Sequence, residues 1–313
     1  MKDLLLEILS STPDSVIKEA VLRVVRRGLY TGAESVTDLI RQELSDVVSS
    51  VVSEKPSGDF EIKFPLPGNE FRKASLYYKG SLIQEFVYIK PGTFMMGSPP
   101  DEVDQFNDEI QREVTLTRGY WLADTACTQA LWQAVMGDNP STFKDDPARP
   151  VEQVSWNDVQ TFLDRLNAQV PGLDAGLPSE AQWEYACRAG TQTPFSFGKT
   201  LTTDQANYDG NYPYVDGKKG VYRQRTVPVK SLPPNPWGLY EMHGNVWEWC
   251  ADWFGDYPPG PQIDPSGPSE GAGRVLRGGT LDDAGRYCRA AYRDWGVLRY
   301  RSSVTGFRIM LSS

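Results

Sequence analysis

The sequence predicts an α+β domain rich in ordered loops, carried behind a small N-terminal helical module. Three observations predict it. Helical periodicity fills the chain up to about residue 54 and then stops. From about residue 60, Gly, Pro and aromatic residues become dense, and only three later stretches keep a helical stripe. The chain closes on a strand-like apolar run, Gly306 to Met310. With 313 residues, a 40% hydrophobic fraction and nine Trp, it has enough bulky apolar surface for one large domain and a small one.

In "DSVIKEAVLRVVRRGLY", Val16, Ile17, Ala20, Val21, Val24 and Val25 recur at helical spacing behind the start signal Pro13-Asp14-Ser15. "AESVTDLIRQELSDVVSSVV" repeats the stripe through Val36, Leu39, Ile40, Leu44, Val47, Val48 and Val51, after a break at Thr31-Gly32. Residues 1–54 are thus expected to form short amphipathic helices that cap the main domain or dock on a protein partner. Ser53 to Asp59 reads as a linker, residues 55–82 as linker and entry strands, and 83–313 as the main domain. Its first helix is expected within Cys127 to Gly137. A second spans Trp156 to Gln169, capped by Ser155 or Asn157, with Val159, Phe162, Leu163 and Leu166 as its buried stripe. A third lies within Pro178 to Gly190, where Ser179 and Gln182 form a capping box and Gly190 ends the helix. The remainder reads as short strands and long loops held by buried Trp and Tyr.

The net charge of -9 and the pI near 4.9 argue against a nucleic-acid partner, which needs a dense basic surface. Arg286, Arg289, Arg293, Arg299 and Arg301 make a local arginine row, but carboxylates interrupt it. The N-terminal apolar run is short and carries Asp3 and Glu7, unlike a signal peptide, and no long apolar segment predicts a membrane span. Cys127, Cys187, Cys250 and Cys288 form no CxxC pair, which fits reduced thiols in a cytoplasm better than a disulfide framework or a zinc site.

Six blocks in order carry a family resemblance: "IKPGTFMMGS" (89–98), "PVEQVSWNDV" (150–159), "LPSEAQWEYACRAG" (177–190), "GLYEMHGNVWEWCADWF" (238–254), "RVLRGGT" (274–280) and "GFRIM" (306–310). Over about residues 83–313 the chain resembles the formylglycine-generating enzymes, whose fold is a variant of the C-type lectin fold. The family's oxidases hold Cu(I) between two thiolates, soft ligands for a soft cation. The matching positions here are Asp283 and Cys288, so the first thiolate is replaced by a hard carboxylate. Related iron-dependent sulfoxide synthases need several histidines, and this chain has only His243. The resemblance therefore implies a domain without catalysis and without a required cofactor. It also implies a structural Ca²⁺ held by Asn245, the Val246 carbonyl and Glu248, oxygen ligands that suit that ion. The alternative is that Asn245 and Glu248 cap loops and pair with arginines. A second family calcium site would use Asn207, but its acidic partner position falls on Val221.

Part of the family serves as the variable proteins of diversity-generating retroelements, in which adenine-directed copying errors rewrite the 3′ end of the gene. The C-terminal region, about 277–308, resembles their framework through Arg274 to Gly279, Arg286, Cys288-Arg289, Ala291, Arg293, Arg301 and Gly306-Phe307-Arg308. The resemblance makes the intervening residues a ligand-binding surface: Leu281, Asp282, Asp283, Gly285, Tyr287, Tyr292, Asp294, Trp295, Gly296, Val297, Leu298, Tyr300, Ser302, Ser303 and Val304. Most are encodable by an NNC codon; Trp295 is not. The composition agrees independently, since Tyr and Trp give contact area at little rotamer entropy while Ser, Asp and Gly adapt their hydrogen bonding. The expected function is binding of a protein ligand through this hypervariable surface. The alternatives are an oxidase of the formylglycine type and a signalling accessory domain with one fixed ligand.

Overall fold

The computed structural model describes residues 58–65 and 73–312, so the helices expected within 1–54 lie outside the described residues. Strand alternation sets in at once. In β1 (Phe60–Lys63) Phe60 is buried while Glu61 and Lys63 are exposed, and β2 (Lys73–Tyr78) buries Ala74 and Leu76. β3 (Ser81–Ile89) pairs with β2 from Lys73↔Val87 to Tyr78↔Ser81. Together with β6 (Tyr120–Ala123), β13 (Met310–Ser312) and β7 (Ala175–Gly176) these build a six-stranded sheet in the order β1-β2-β3-β6-β13-β7. The strands assigned as an approach to the domain therefore begin its largest sheet. The domain starts near Phe60 rather than at residue 83, because β2 has a full ladder to satisfy on β3.

The three expected helices form. α1 (Gln129–Met136) starts where the Thr128 side chain accepts from Leu131 N–H and stops at Gly137, φ 88°. α2 (Trp156–Gln169) is capped by Ser155, not Asn157, because Asp158 completes a reciprocal capping box there. Its stripe Val159, Phe162, Leu163 and Leu166 is buried. α3 (Glu180–Arg188) has the Ser179–Gln182 box, and it ends at Ala189 in the left-handed region, one residue ahead of Gly190.

β8 (Trp247–Trp253) and β10 (Arg274–Arg277) are the interior strands of a second sheet, ordered β11-β10-β8-β12 with β11 (Arg293–Gly296) and β12 (Thr305–Phe307) at its edges. A third sheet, β4-β5-β9, joins β4 (Gly92–Met96), β5 (Arg112–Leu116) and β9 (Gln262–Ile263). Trp132 of α1 stacks on Phe162 of α2 with centroids 5.2 Å apart, and Phe307 of β12 meets Phe162 edge-on at 5.2 Å. Burying each such ring stabilises the fold by roughly 1.5–3 kcal/mol. This packing fixes the last strands of the chain against the helices. The stretch between β10 and β12, a short 3-10 turn at Gly285–Cys288, β11 and the loops around them, is therefore tethered at both ends.

Candidate ligand-binding surface

Arginine offers a planar fork of donors that can hold several oxygens at once, and the tail uses three of them as buried braces. Arg277 donates from Nη1 to the carbonyls of Ala291 (2.8 Å) and Tyr292, and from Nη2 to Ala290 O (3.0 Å) and the Glu184 carboxylate. Arg289 donates to Glu102 (2.7 Å), Glu109 (2.7 Å) and the Asp104 carbonyl (2.6 Å). Arg293 holds Glu180 through two bonds of 2.7 and 2.8 Å and reaches the carbonyls of Asp108 and Gly255. Arg286, Arg299 and Arg301 are exposed instead. Arg301 makes a two-bond pair with Asp158, each bond 2.7 Å.

On this frame Tyr287 and Tyr292 pack edge to face at 5.0 Å, and Phe106 meets Tyr292 at 5.1 Å. Trp247 lies 5.9 Å from Tyr292 on the inner side. Phe106 was not among the sequence-derived positions, yet it is exposed and touches two of them. The signal available was charge: the acidic stretch 101–109 supplies Glu102 and Glu109, the partners of Arg289. Asp282 is exposed and accepts from the Tyr222 hydroxyl at 2.7 Å. Val297 and Tyr300 are exposed; Leu298, Ser302, Ser303 and Val304 are half-buried.

Three of the expected surface positions are interior. Leu281 is 1% exposed. A Cβ on Gly285 would lie 2.8 Å from Tyr214 N, and one on Gly296 would lie 2.6 Å from the Trp249 ring. These sites accept no larger side chain without displacement of their neighbours. Trp295 separates from the rest for another reason. Strand alternation puts Arg293 and Trp295 on one face of β11 and Asp294 and Gly296 on the other, and Trp295 packs toward Phe254 at 6.3 Å. Asp294 is half-buried, with burial raising its pKa and the Trp295 N–H bond opposing that.

The stretch 297–304 is held by its main chain. Leu298 O accepts from Asn157 N (3.2 Å), Ser302 O from Gln153 N (2.9 Å), and Val304 O from Trp247 N (2.8 Å). A turn closes between Val297 O and Tyr300 N at 2.8 Å. Backbone atoms common to every residue thus set the path of this segment.

The residues considered for chemistry are committed elsewhere. His243 is buried; its Nδ1 lies 2.8 Å from Cys288 O and its Nε2 3.1 Å from Ser196 N. A carbonyl accepts and an amide donates, so Nδ1 carries the proton and Nε2 is bare. Burial lowers the His243 pKa to about 4, keeping the ring neutral. Burial pushes the Cys288 thiol well above its ordinary value, with Asp283 adding to the effect, and raises Asp283 to about 6. One protonated thiol and one carboxyl group do not fit a soft monovalent cation.

The calcium expectation does not fit either. Asn245 Oδ1 accepts from Val227 N (2.9 Å) and Asn207 Nδ2 (3.1 Å). Glu248 accepts from Arg308 at 2.9 and 3.0 Å and from Trp183 Nε1 at 2.7 Å. Both side chains pair with protein donors rather than converge with the Val246 carbonyl, whereas Ca²⁺ takes six to eight oxygens. Asn207 Oδ1 is buried with no partner among the described residues, but the side chain of Val221, at the position of its would-be acidic companion, offers only hydrocarbon.

Fold and site together define an α+β, loop-rich C-type lectin fold of the formylglycine-generating type that carries a braced C-terminal surface. A model of the sulfatase-modifying factor enzyme 1-like domain matches residues 75–313, and the chain belongs to that family. It is similar to the formylglycine-generating enzyme of Thermomonospora curvata, 36% identical over 192 residues that cover 57% of this chain and 60% of that one. It is also similar to the serine/threonine-protein kinase pkn1 of Chlamydia caviae, 37% identical over 164 residues, 51% of this chain and 23% of the kinase. The chain spans little more than half the length of the formylglycine-generating enzymes it matches. Among solved structures, Treponema denticola variable protein 1 superposes with a TM-score of 0.65 at 27% identity, covering 80% of this chain and 99% of that one. Among the described residues no helix is long and apolar enough to cross a membrane.

Proposed function

We propose that this chain is a non-catalytic binding protein of the cytoplasm, whose C-terminal surface is diversified by a retroelement and recognises a protein ligand. The observation that carries the reading is the main-chain anchoring of 297–304 to Gln153, Asn157 and Trp247. A segment whose course is set mainly by main-chain bonds, with the Arg301–Asp158 pair and the core contact of Val304 beside them, tolerates replacement of its exposed side chains. Similarity to Treponema denticola variable protein 1 supports the same reading. The binding set is Asp282, Tyr287, Tyr292, Asp294, Val297, Leu298, Tyr300, Ser302, Ser303 and Val304, with Phe106 as a fixed neighbour. No cofactor is needed for this role, and nucleic acid and membrane are not partners. Asp283 in place of a thiolate beside a protonated Cys288 weighs against the oxidase alternative.

The test is a displayed library randomised at those ten positions and panned against several unrelated proteins. Folded binders to more than one target are expected. A library in which most members fail to fold would overturn the proposal. In the DNA, a nearby template repeat should differ from this 3′ end only at template adenines. Similarity to the kinase pkn1 favours a second reading, an accessory domain with one fixed ligand. Under it, residues 281–304 would be invariant among otherwise near-identical strains.

A further inference from the structure

A buried guanidinium normally finds a carboxylate or carbonyl oxygen, as Arg277, Arg289, Arg293 and Arg308 do here. Arg112, on β5, does not. It is 9% exposed, and among the described residues its Nε and Nη1 have no hydrogen-bond partner. Its Nη2 reaches only the thioether sulfur of Met96 at 3.8 Å, a weak acceptor, and its guanidinium lies over the Tyr257 ring at 3.9 Å. Burial lowers the Arg112 pKa, with Tyr257 and Glu180 opposing. Few surroundings in this fold demand an anion more plainly.

Arg112 lines a cavity of about 310 Å³, in the range of small-ligand sites. Tyr257, Pro258, Pro265 and Pro268 give it an apolar, rigid wall. The other charges on the wall are largely spent. Glu180 is held by both ends of its carboxylate on Arg293, 2.7 and 2.8 Å away. Asp252 Oδ2 accepts from Glu180 N at 2.8 Å, and burial, then the Glu180 charge, raises its pKa to about 7. Asp256 is exposed. What is left inside is a donor-rich cation beside hydrocarbon and aromatic surface. We propose that this cavity, on a different side of β11 from Asp294, binds a small organic carboxylate with a ring-bearing apolar body, its carboxylate accepting from the Arg112 guanidinium.

Calorimetric titration of the full chain with phenylacetate, phenylacetamide and inorganic phosphate tests this. Phenylacetate should bind saturably at one site, and phenylacetamide, which keeps the shape but loses the charge, should bind roughly tenfold more weakly or worse. Arg112→Met, with its fold checked by its melting temperature, should abolish phenylacetate binding. Should that variant not fold, the acid and amide compared on the unaltered chain decide alone. Equal affinity for acid and amide, no saturation by phenylacetate at millimolar concentration, phosphate binding in its place, or unchanged binding by a folded Arg112→Met protein would each overturn the assignment.

Discussion

At Gly296 the missing side chain is a packing requirement. A Cβ there would lie 2.6 Å from the Trp249 ring and 3.2 Å from Tyr300, so Gly296→Ser should destabilise by roughly 1–3 kcal/mol. Tyr300→Ser, four residues on and exposed, should stay within about 0.5 kcal/mol; urea melts of the two variants compare them, and equal losses would mean that the tail is core throughout. Asp252 supplies a second test at this scale. Burial and the nearby Glu180 raise its folded pKa to about 7, so the native state binds the proton more tightly than the unfolded chain, whose Asp titrates near 4. Wild-type stability therefore falls as pH rises from about 4 to about 7 and levels off above. Asp252→Asn keeps an acceptor for Glu180 N–H but lacks that slope. Its stability relative to wild type should climb across the window by up to roughly 1.4 kcal/mol per pH unit; a pH-independent difference would show that Asp252 is ionised throughout. The sequence marked Leu281, Gly285 and Gly296 as surface because codon pattern and framework spacing report which residues alternate, not which of them face Trp249 or Tyr214.

Helices were the most legible elements, because their signals are local. Ser155 with Asp158, and Ser179 with Gln182, lie three residues apart, and both boxes close as their spacing implies. The loop carrying Phe106 was illegible for the opposite reason. It is positioned by Arg289, 187 residues beyond Glu102 and 180 beyond Glu109. No periodicity spans such a distance. Burial raises the pKa of both carboxyls, and their Arg289 bonds pull it back. Removing the arginine leaves two buried acids without their direct ion-pair partner, so Arg289→Met should cost about 3–5 kcal/mol. Hydrogen exchange over residues 99–110 should quicken more than in α2. Adding Glu102→Gln and Glu109→Gln to that variant should recover part of the loss. If it recovers none, the loop is held by its apolar contacts and not by the ion cluster.

For the molecule as a whole, stability and recognition are carried largely by different atoms, with Tyr292 and Val304, which pack against the core, as the overlap. The fold rests on the Trp132–Phe162–Phe307 packing and the arginine braces, both drawn from residues outside the binding set. The exposed part of the tail adds side chains to a backbone already fixed by Gln153, Asn157 and Trp247. Substitutions at separate exposed sites add, each within about 0.5 kcal/mol. A variant carrying Asp282→Ser, Val297→Asn and Tyr300→Ser together should thus lose less than roughly 1.5 kcal/mol and melt within several degrees of wild type. Polar replacement at Leu281, Gly285 and Gly296 should instead unfold the domain, because side chains at the two glycines would meet Tyr214 and Trp249 and a polar group at Leu281 would be buried in place of a hydrocarbon. Calorimetric melting of both variants separates the two classes of site. Similar, large losses in both would mean that no part of this surface can be rewritten without rebuilding the fold, and the binding reading would fail with it.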